Sequence, residues 1–252
     1  QAYYELSLPI SREIGDRKGE AATLNNLGEV ARSQGDYPAA KGYYGRRLQI
    51  CRAIGERQGE TIALANLSLV AHTLGDDEAA RSYAQEMLQI TRQIGHRSNQ
   101  GYALNNLGHA LAGLNRLAEA AEIYRQAVAL RHELGEHFLA MESLAGLARV
   151  LMLEGKSAEA RVHVDQILAY LQTGSLEGTD EPLRIYLTCY HVLKAGQTPG
   201  AQEVLAIAYN LLQQWANRIA DEDLRRSFLR NVRVHRQIVD EHQAARSLWH
   251  VA

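Results

Sequence analysis

Three asparagines, Asn26, Asn66 and Asn106, lie 40 residues apart in the chain. Each comes directly before the second leucine of a recurring Leu-x-Asn-Leu segment. An amide side chain both donates and accepts hydrogen bonds, as a peptide backbone does. If the segments that carry them stack side by side, these residues, the asparagine ladder, are suited to bind the backbone of an extended peptide. The alternative interpretation is that each amide ties its own segment to the next one.

Other residue groups lack a spacing typical of catalysis. Gly155–Ser157 resembles the end of a phosphate-binding loop, but the glycine that such a loop needs five residues earlier is absent. The same position in an earlier segment is the turn at Gly35, and we interpret Gly155–Ser157 as a turn as well. Cys51 and Cys189 match no metal spacing and are expected to be reduced, partly buried thiols.

The ten histidines include two pairs with short spacing. His132 and His137 are five residues apart across a glycine, and His235 and His242 are seven apart. Neither pair has a third metal ligand at a recognisable spacing, and we interpret the histidines as surface or half-buried side chains. The sequence therefore predicts no catalytic residue, no metal site and no cofactor.

Composition bounds the class of protein. The chain has 252 residues, a net charge of −2 and no apolar run near the ~18 residues of a membrane span. Near-neutral charge does not favour general nucleic-acid binding. We expect a cytoplasmic protein with a protein or peptide partner and no contact with a membrane. The sequence opens at Gln1 in the middle of a repeat, which predicts a piece of a longer protein.

The positions that hold the asparagine ladder are predicted to be helical. Alanine, leucine, glutamate and arginine are abundant, and only 4 prolines occur. Glycine or asparagine, which tolerate the left-handed conformation that closes a helix, recurs at two positions in each 40-residue unit. These positions are Gly15, Gly35, Gly55, Gly75, Gly95, Asn115, Gly135 and Gly155. Asp36 and Asp76 follow two of them and are expected to cap the next helix. Each unit is therefore predicted to be a pair of helices.

We expect a single repeat array over residues 1–252. Residues 1–15 form the second helix of a truncated repeat, and residues 221–252 form a capping helix, expected over 221–242, with a tail. The regular repeats are 16–55, 56–95, 96–135 and 136–172, and 173–220 is a degenerate repeat. Five arginines lie on the last helix, at 225, 226, 230, 233 and 236. Acidic residues flank them, so a solvated face is the main interpretation and a patch for nucleic acid or an acidic partner is the alternative.

Leu24, Leu27, Gly28 and Ala31, followed by Gly35-Asp36-Tyr37, resemble the tetratricopeptide repeat (TPR) signature. The resemblance implies an all-α fold, a right-handed superhelix or α-solenoid of about five to six helical hairpins with a C-terminal capping helix. The 40-residue step, longer than the common ~34, resembles the arrays of the Pins family, kinesin light chains and many bacterial regulators. The ending resembles the cap of TPR regions in large bacterial STAND-type regulators.

The resemblance implies a binding wall on the first helices of the repeats, where related TPR proteins use asparagines to hold peptides. The predicted binding residues are Asn25, Asn26, Glu29, Arg32, Asn66, Leu69, His72, Tyr102, Asn105, Asn106, His109, Glu142 and Arg149. The basic clamp with which chaperone-binding TPR domains hold a terminal carboxylate is absent, because Glu29, Leu69 and His109 occupy its positions.

The function expected is a non-catalytic scaffold that binds an extended segment in its concave groove, as the interaction or sensor region of a larger regulatory protein. Three alternatives stay open. They are a structural array that self-associates, a regulator resembling the peptide-controlled TPR phosphatases, and a sensor of small molecules or peptides that controls an attached enzymatic or DNA-binding domain.

Overall fold

The structure is a computed structural model that describes residues 2–249, apart from the side chains of residues 2, 5 and 247–249. This part of the chain contains helices and turns and no strand. Its thirteen helices are α1 Ala2–Glu13, α2 Arg17–Ser33, α3 Tyr37–Ile54, α4 Arg57–Thr73, α5 Asp77–Gln93, α6 Arg97–Gly113, α7 Leu117–Glu133, α8 His137–Leu153, α9 Ser157–Leu171, α10 Pro182–Ala195, α11 Ala201–Ala216, α12 Glu222–Arg230 and α13 Arg233–Trp249. The last three residues of the predicted tail, 250–252, lie outside the described residues.

The helices group into two compact units. The first unit, Gln1–Arg116, contains α1 to α6, and the second unit, Leu117–Ala252, contains α7 to α13. In the first unit α2 packs on α3, α3 on α4, α4 on α5 and α5 on α6. In the second unit α8 packs on α7 and α9, and α10 packs on α8, α9 and α11. Consecutive helices are thus neighbours within each unit, as a chain of helical hairpins requires.

The turns between helices follow from the periodic glycines. Backbone φ is positive at all seven glycines of the 40-residue pattern and at Asn115, where φ is 58°. A residue with a side chain is strained in this conformation, and asparagine tolerates it better than most. The carboxylates of Asp36 and Asp76 accept hydrogen bonds from the backbone N–H groups of Ala39 and Ala79 at 3.0 and 3.3 Å. The predicted helix ends and caps are confirmed.

The seam within a hairpin depends on small residues. Gly28 of α2 lies against the ring of the fully buried Tyr44 of α3, and a Cβ atom at Gly28 would overlap that ring. Gly146 of α8 has the same relation to the ring of Tyr124 of α7. A close approach of two helices around an aromatic ring therefore fixes glycine at these two positions.

The end of the second unit differs from the single helix expected over 221–242. Two helices occur instead, α12 and α13, with a break at Asn231 and Val232. The side chain of His235 bonds the carbonyl of Phe228 at 2.8 Å, and Arg236 donates to the carbonyl of Arg230 at 3.2 Å. These bonds satisfy carbonyls at the end of α12 that would otherwise need the next helical turn, so the chain can turn there without glycine or proline.

Helix α13 packs against α10 and α11 and covers the end of the second unit. Glu241 of α13 accepts hydrogen bonds from the Tyr190 hydroxyl at 2.9 Å and from the Lys194 ammonium at 2.8 Å. The ring of His242 stacks on Tyr209 with 3.8 Å between centroids. Charge-assisted hydrogen bonds and ring stacking thus attach this helix to α10 and α11.

Candidate functional site

Eleven of the thirteen predicted binding residues lie on α2, α4 and α6 of the first unit. These helices are the first helices of consecutive repeats, and hydrogen bonds from asparagine side chains to the preceding helix bring them side by side. We call the surface that these residues form the ladder face. The other two residues, Glu142 and Arg149, lie on α8 of the second unit.

The amide nitrogens of the asparagine ladder connect neighbouring helices. Asn66 Nδ2 on α4 donates to Asn25 Oδ1 at 3.2 Å and to Glu29 Oε1 at 3.1 Å, both on α2. Asn106 Nδ2 on α6 donates to the backbone carbonyl of Ala65 on α4 at 3.2 Å. Each nitrogen thus holds its helix to the preceding one. This agrees with the interpretation that the amides tie neighbouring segments together.

The amide oxygens of the same residues are not used in this way. Within residues 2–249, the Oδ1 atoms of Asn66 and Asn106 accept no hydrogen bond, and the Asn26 side chain makes none. All three side chains are half-buried. Because the nitrogens of Asn66 and Asn106 are fixed, their oxygens have a defined direction. The ladder can therefore tie helices together and still accept hydrogen bonds from a ligand.

An ion pair flanks the ladder. Arg32 Nη2 lies 2.8 Å from Glu29 Oε2, while the other oxygen of Glu29 receives the Asn66 amide. Both charged side chains are partly exposed. Glu29 is therefore held from two directions, and it presents a carboxylate at this end of the ladder face.

Two histidines form the other end of the ladder face. The rings of His72 on α4 and His109 on α6 stack with 5.6 Å between centroids. His72 Nδ1 lies 2.5 Å from Asp77 Oδ1, and His109 Nε2 lies 3.3 Å from Asn105 Nδ2. Asp77 was not among the predicted residues. Its carboxylate, five residues after His72 and across the turn at Gly75, was visible in the sequence.

Burial corrects two of the predicted positions on the ladder face. Asn105 is 7% exposed and His109 is 6% exposed, whereas we expected both on an open surface. Their mutual hydrogen bond and the stacked His72 ring account for part of this burial. Leu69 and Tyr102 are half-buried and stay available at the surface.

Glu142 is also buried, with 9% of its surface exposed. Its Oε1 accepts hydrogen bonds from the backbone N–H groups of Asp180 at 2.6 Å and Glu181 at 3.2 Å. Burial, followed by the negative charge of Asp180, raises the pKa of Glu142 to about 7. The loop between α9 and α10 thus covers a residue that we expected to face a ligand, and Glu142 serves to hold that loop.

Arg149 lies on α8 and is half-buried. Its Nε and Nη2 atoms are buried and have no hydrogen-bond partner among the described residues. Its positive charge acts on Tyr124, where it opposes the effect of burial, which raises the pKa of that phenol. Buried donors without an acceptor are costly, so these two guanidinium nitrogens lower the stability of the second unit.

Three of the five arginines near the C-terminus lie next to acidic groups. Arg225 lies 3.7 Å from Glu222, Arg226 lies 3.2 Å from Asp223, and Arg230 lies 3.5 Å from Asp240. These exposed ion pairs match the main interpretation, a solvated face.

Metal clusters and membrane-spanning helices are both absent from residues 2–249. No three histidine, cysteine, aspartate or glutamate side chains converge as they would around a metal ion. No described helix combines the length and the hydropathy that crossing a membrane requires.

The tetratricopeptide repeat family model matches residues 1–53, 20–93 and 60–133, which together cover more than half of the chain. The chain belongs to the tetratricopeptide repeat family. A second tetratricopeptide repeat model matches residues 141–166. The TPR assignment thus extends over both units. Comparison with curated protein sequences found no match.

Solved TPR-like structures resemble most of the chain. BtubC (BKLC) from P. vanneervenii is 16% identical over 88% of this chain and 92% of its own, with a TM-score of 0.66. A Rap protein complexed with Competence and Sporulation Factor is 18% identical over 89% of this chain and 65% of its own, with a TM-score of 0.60. NprR in complex with its cognate peptide NprX is 12% identical over 97% of this chain and 69% of its own, with a TM-score of 0.66. At these identities the similarity shows the all-α TPR fold.

Proposed function

We propose that this TPR chain binds an extended peptide or protein segment on the ladder face of the first unit. The observation that carries the proposal is that the nitrogen and the oxygen of the asparagine side chains have different roles. The nitrogens of Asn66 and Asn106 tie helices together, and their oxygens and the whole Asn26 amide are left to accept or donate hydrogen bonds.

Recognition would proceed through the ligand backbone. Packed helices lie roughly 10 Å apart, and an extended chain advances about 3.3 Å per residue. An asparagine on each successive first helix would therefore meet every third residue of the ligand. The amide oxygens would accept its backbone N–H groups. Leu69 and Tyr102 would contact side chains, and Glu29 with Arg32 would select polar or charged ones.

The solved relatives support a peptide as the ligand class. The Rap structure is complexed with Competence and Sporulation Factor, and the NprR structure contains its cognate peptide NprX. We propose that this chain is likewise the interaction or sensor region of a larger, cytoplasmic bacterial regulator. Its 40-residue step supports the proposal that it is of the Pins and kinesin light chain type of TPR array, and the resemblance of its ending supports a STAND-type regulator. The chain itself performs no catalysis in this proposal.

Asn26→Ala tests the ladder because this side chain makes no hydrogen bond within the described residues. We expect the melting temperature to stay within about 1 °C of the parent, since a half-exposed amide without partners contributes little. Affinity for a peptide selected from a random decamer library should fall about 5- to 20-fold, as the loss of one or two hydrogen bonds predicts. Isothermal titration calorimetry and thermal melts measure the two quantities.

Asn66→Ala combined with Asn106→Ala is the companion variant. It should weaken the same peptide further and also lower the melting temperature, because both nitrogens bond the preceding repeat. Arg226→Ala, on the exposed face of α12, is the control and should bind like the parent. If the Asn26 variant and the double variant both bound the peptide as tightly as the parent, the ladder would not be the binding site.

Self-association is a second candidate function, favoured by an apolar stripe that follows α1 and ends in the turn after it. Tyr3, Leu6, Ile10 and Ile14 follow helical spacing and are 78%, 71%, 57% and 70% exposed. An apolar stripe of this length on a helix surface is typical of a contact with another helix. If two copies meet through this stripe, Leu6→Glu should shift sedimentation equilibrium of the chain to a monomer. A parent chain that sediments as a monomer at 100 μM, on the order of a weak dimer's Kd, would exclude this function.

A further inference from the structure

The turn between α7 and α8 brings two imidazoles together. His132 lies at the end of α7, and His137 is the first residue of α8. Their Nδ1 atoms are 3.2 Å apart, and their ring centroids are 5.4 Å apart. Gly135, with φ of 71°, makes the tight turn that places the two helix ends opposite each other. Both histidines are exposed, so an ion in solution can reach them.

The distance between the two nitrogens fits a shared cation. Two neutral imidazoles that face each other through Nδ1 are satisfied when one nitrogen donates its hydrogen to the other, or when both lone pairs bind one cation. Metal–imidazole bonds are about 2.0–2.1 Å long, which puts two neighbouring nitrogen ligands roughly 2.9–3.4 Å apart, depending on the bond angle. The observed 3.2 Å lies in this interval. The pair therefore needs little rearrangement to bind an ion.

A cavity lies next to the pair. Its volume is about 330 Å³, and it is lined by His132, His137, Met141, Leu144, Gln166 and Tyr170. Gln166 is fixed at its Oε1 atom by His163 Nδ1 at 3.2 Å, so an amide group from α9 faces the same space. The cavity has room for water or a small ligand at the positions of the ion that the imidazoles leave open.

We propose that His132 and His137 bind one divalent transition-metal ion through their Nδ1 atoms. No third histidine, cysteine, aspartate or glutamate of the described residues completes the site. The ion would therefore keep open positions toward the cavity, filled by water. Imidazole prefers Cu²⁺, Ni²⁺ and Zn²⁺, so these ions should bind in the order of their general affinities, Cu²⁺ above Ni²⁺ and Zn²⁺. Mg²⁺ and Ca²⁺, which prefer oxygen ligands, should not bind.

The ion would link the end of one helix to the start of the next. Because the two ligands come from α7 and α8, binding requires the folded turn and stabilises the folded chain by mass action. The site thus adds a metal-dependent element to a fold that we interpret as a peptide-binding scaffold, and it does not depend on the ladder face.

The test is a titration of the full chain with Zn²⁺ and with Cu²⁺ at pH 7.5. Calorimetry should show one ion per chain, and electron paramagnetic resonance of the Cu²⁺ form should show coupling to two nitrogens. His132→Ala and His137→Ala should each weaken binding at least about tenfold, as loss of a ligand does. His163→Ala is the matched control on α9 and should leave affinity within about twofold of the parent. Melts without metal should be equal in all four proteins, because both ligands are exposed.

Three outcomes would overturn the proposal. The first is an affinity that survives both single substitutions, which would place the ion elsewhere. The second is an equal loss of affinity in His163→Ala, which would show non-specific binding by surface histidines. The third is the absence of a metal-dependent rise in the melting temperature of the parent chain at an ion concentration a hundred times its Kd.

Discussion

Gly28→Ala destabilises the chain by about 1–3 kcal/mol, even though alanine forms helices better than glycine. The new Cβ atom overlaps the ring of Tyr44, which is fully buried and cannot move outward. The helices α2 and α3 must then separate or the ring must leave its preferred rotamer. Urea denaturation followed by circular dichroism measures the free energy of unfolding.

Gly42→Ala provides the matched control for this prediction. Gly42 lies inside α3, and a Cβ atom there meets nothing within 4 Å. The same chemical change should therefore stabilise the chain, by about 0.5–1 kcal/mol, through helix propensity alone. If both variants were equally stable, close packing at the hairpin seam would not explain the glycine at position 28.

Raising the pH from 4.5 to 7 should weaken the second unit through Glu142. The ordinary pKa of this carboxyl is 4.5, and burial with the charges of Asp180 and Glu181 raises its pKa to about 7 in the folded chain. Between these values the folded state holds a proton that the unfolded state has lost, so folding is favoured less as the pH rises. The stability that this proton contributes to the folded chain is fully present below pH 4.5 and is lost by about pH 7. A shift of this size corresponds to on the order of 3 kcal/mol.

Glu142→Gln removes this pH dependence, because the amide does not ionise and its oxygen can still accept from the backbone of Asp180. Denaturant unfolding of parent and variant at half-unit steps from pH 4.5 to 8 measures the difference between them. Glu177→Gln changes an exposed carboxyl in the same loop and should track the parent at every pH. A constant gap between parent and Glu142→Gln across this range would contradict the prediction.

The sequence by itself determined the helices, the caps and the turns of the regular repeats, but not the break between α12 and α13. Positive φ at Gly15, Gly55 and Asn115 and the caps at Asp36 and Asp76 depend on residues a few positions apart. Such local geometry repeats wherever the residue pattern repeats, so a 40-residue step was sufficient to predict it. The TPR family followed from the same pattern, because leucine and glycine at helical spacing set the hairpin seam.

The tertiary structure decided which of these residues are accessible. Asn105, His109 and Glu142 lie on the predicted wall, yet each is buried; the ring of His72 on a neighbouring helix stacks on His109, and the loop before α10 covers Glu142. The backbone of Asp180, which bonds Glu142, is 38 residues away in sequence. Such contacts depend on how helices stack, and single-residue patterns carry no information about them.

The asparagine ladder shows both contributions. Its 40-residue spacing was visible in the sequence, and the two roles of its amides were predicted there as alternatives. Only the packed helices separate them, because the partners of Asn66 and Asn106 are 37 to 41 residues away. The nitrogens bond to the preceding repeat, since the neighbouring helix supplies an acceptor within reach. Within residues 2–249 the oxygens meet no donor, and this difference, set by packing rather than by residue type, is why we propose this surface for a ligand.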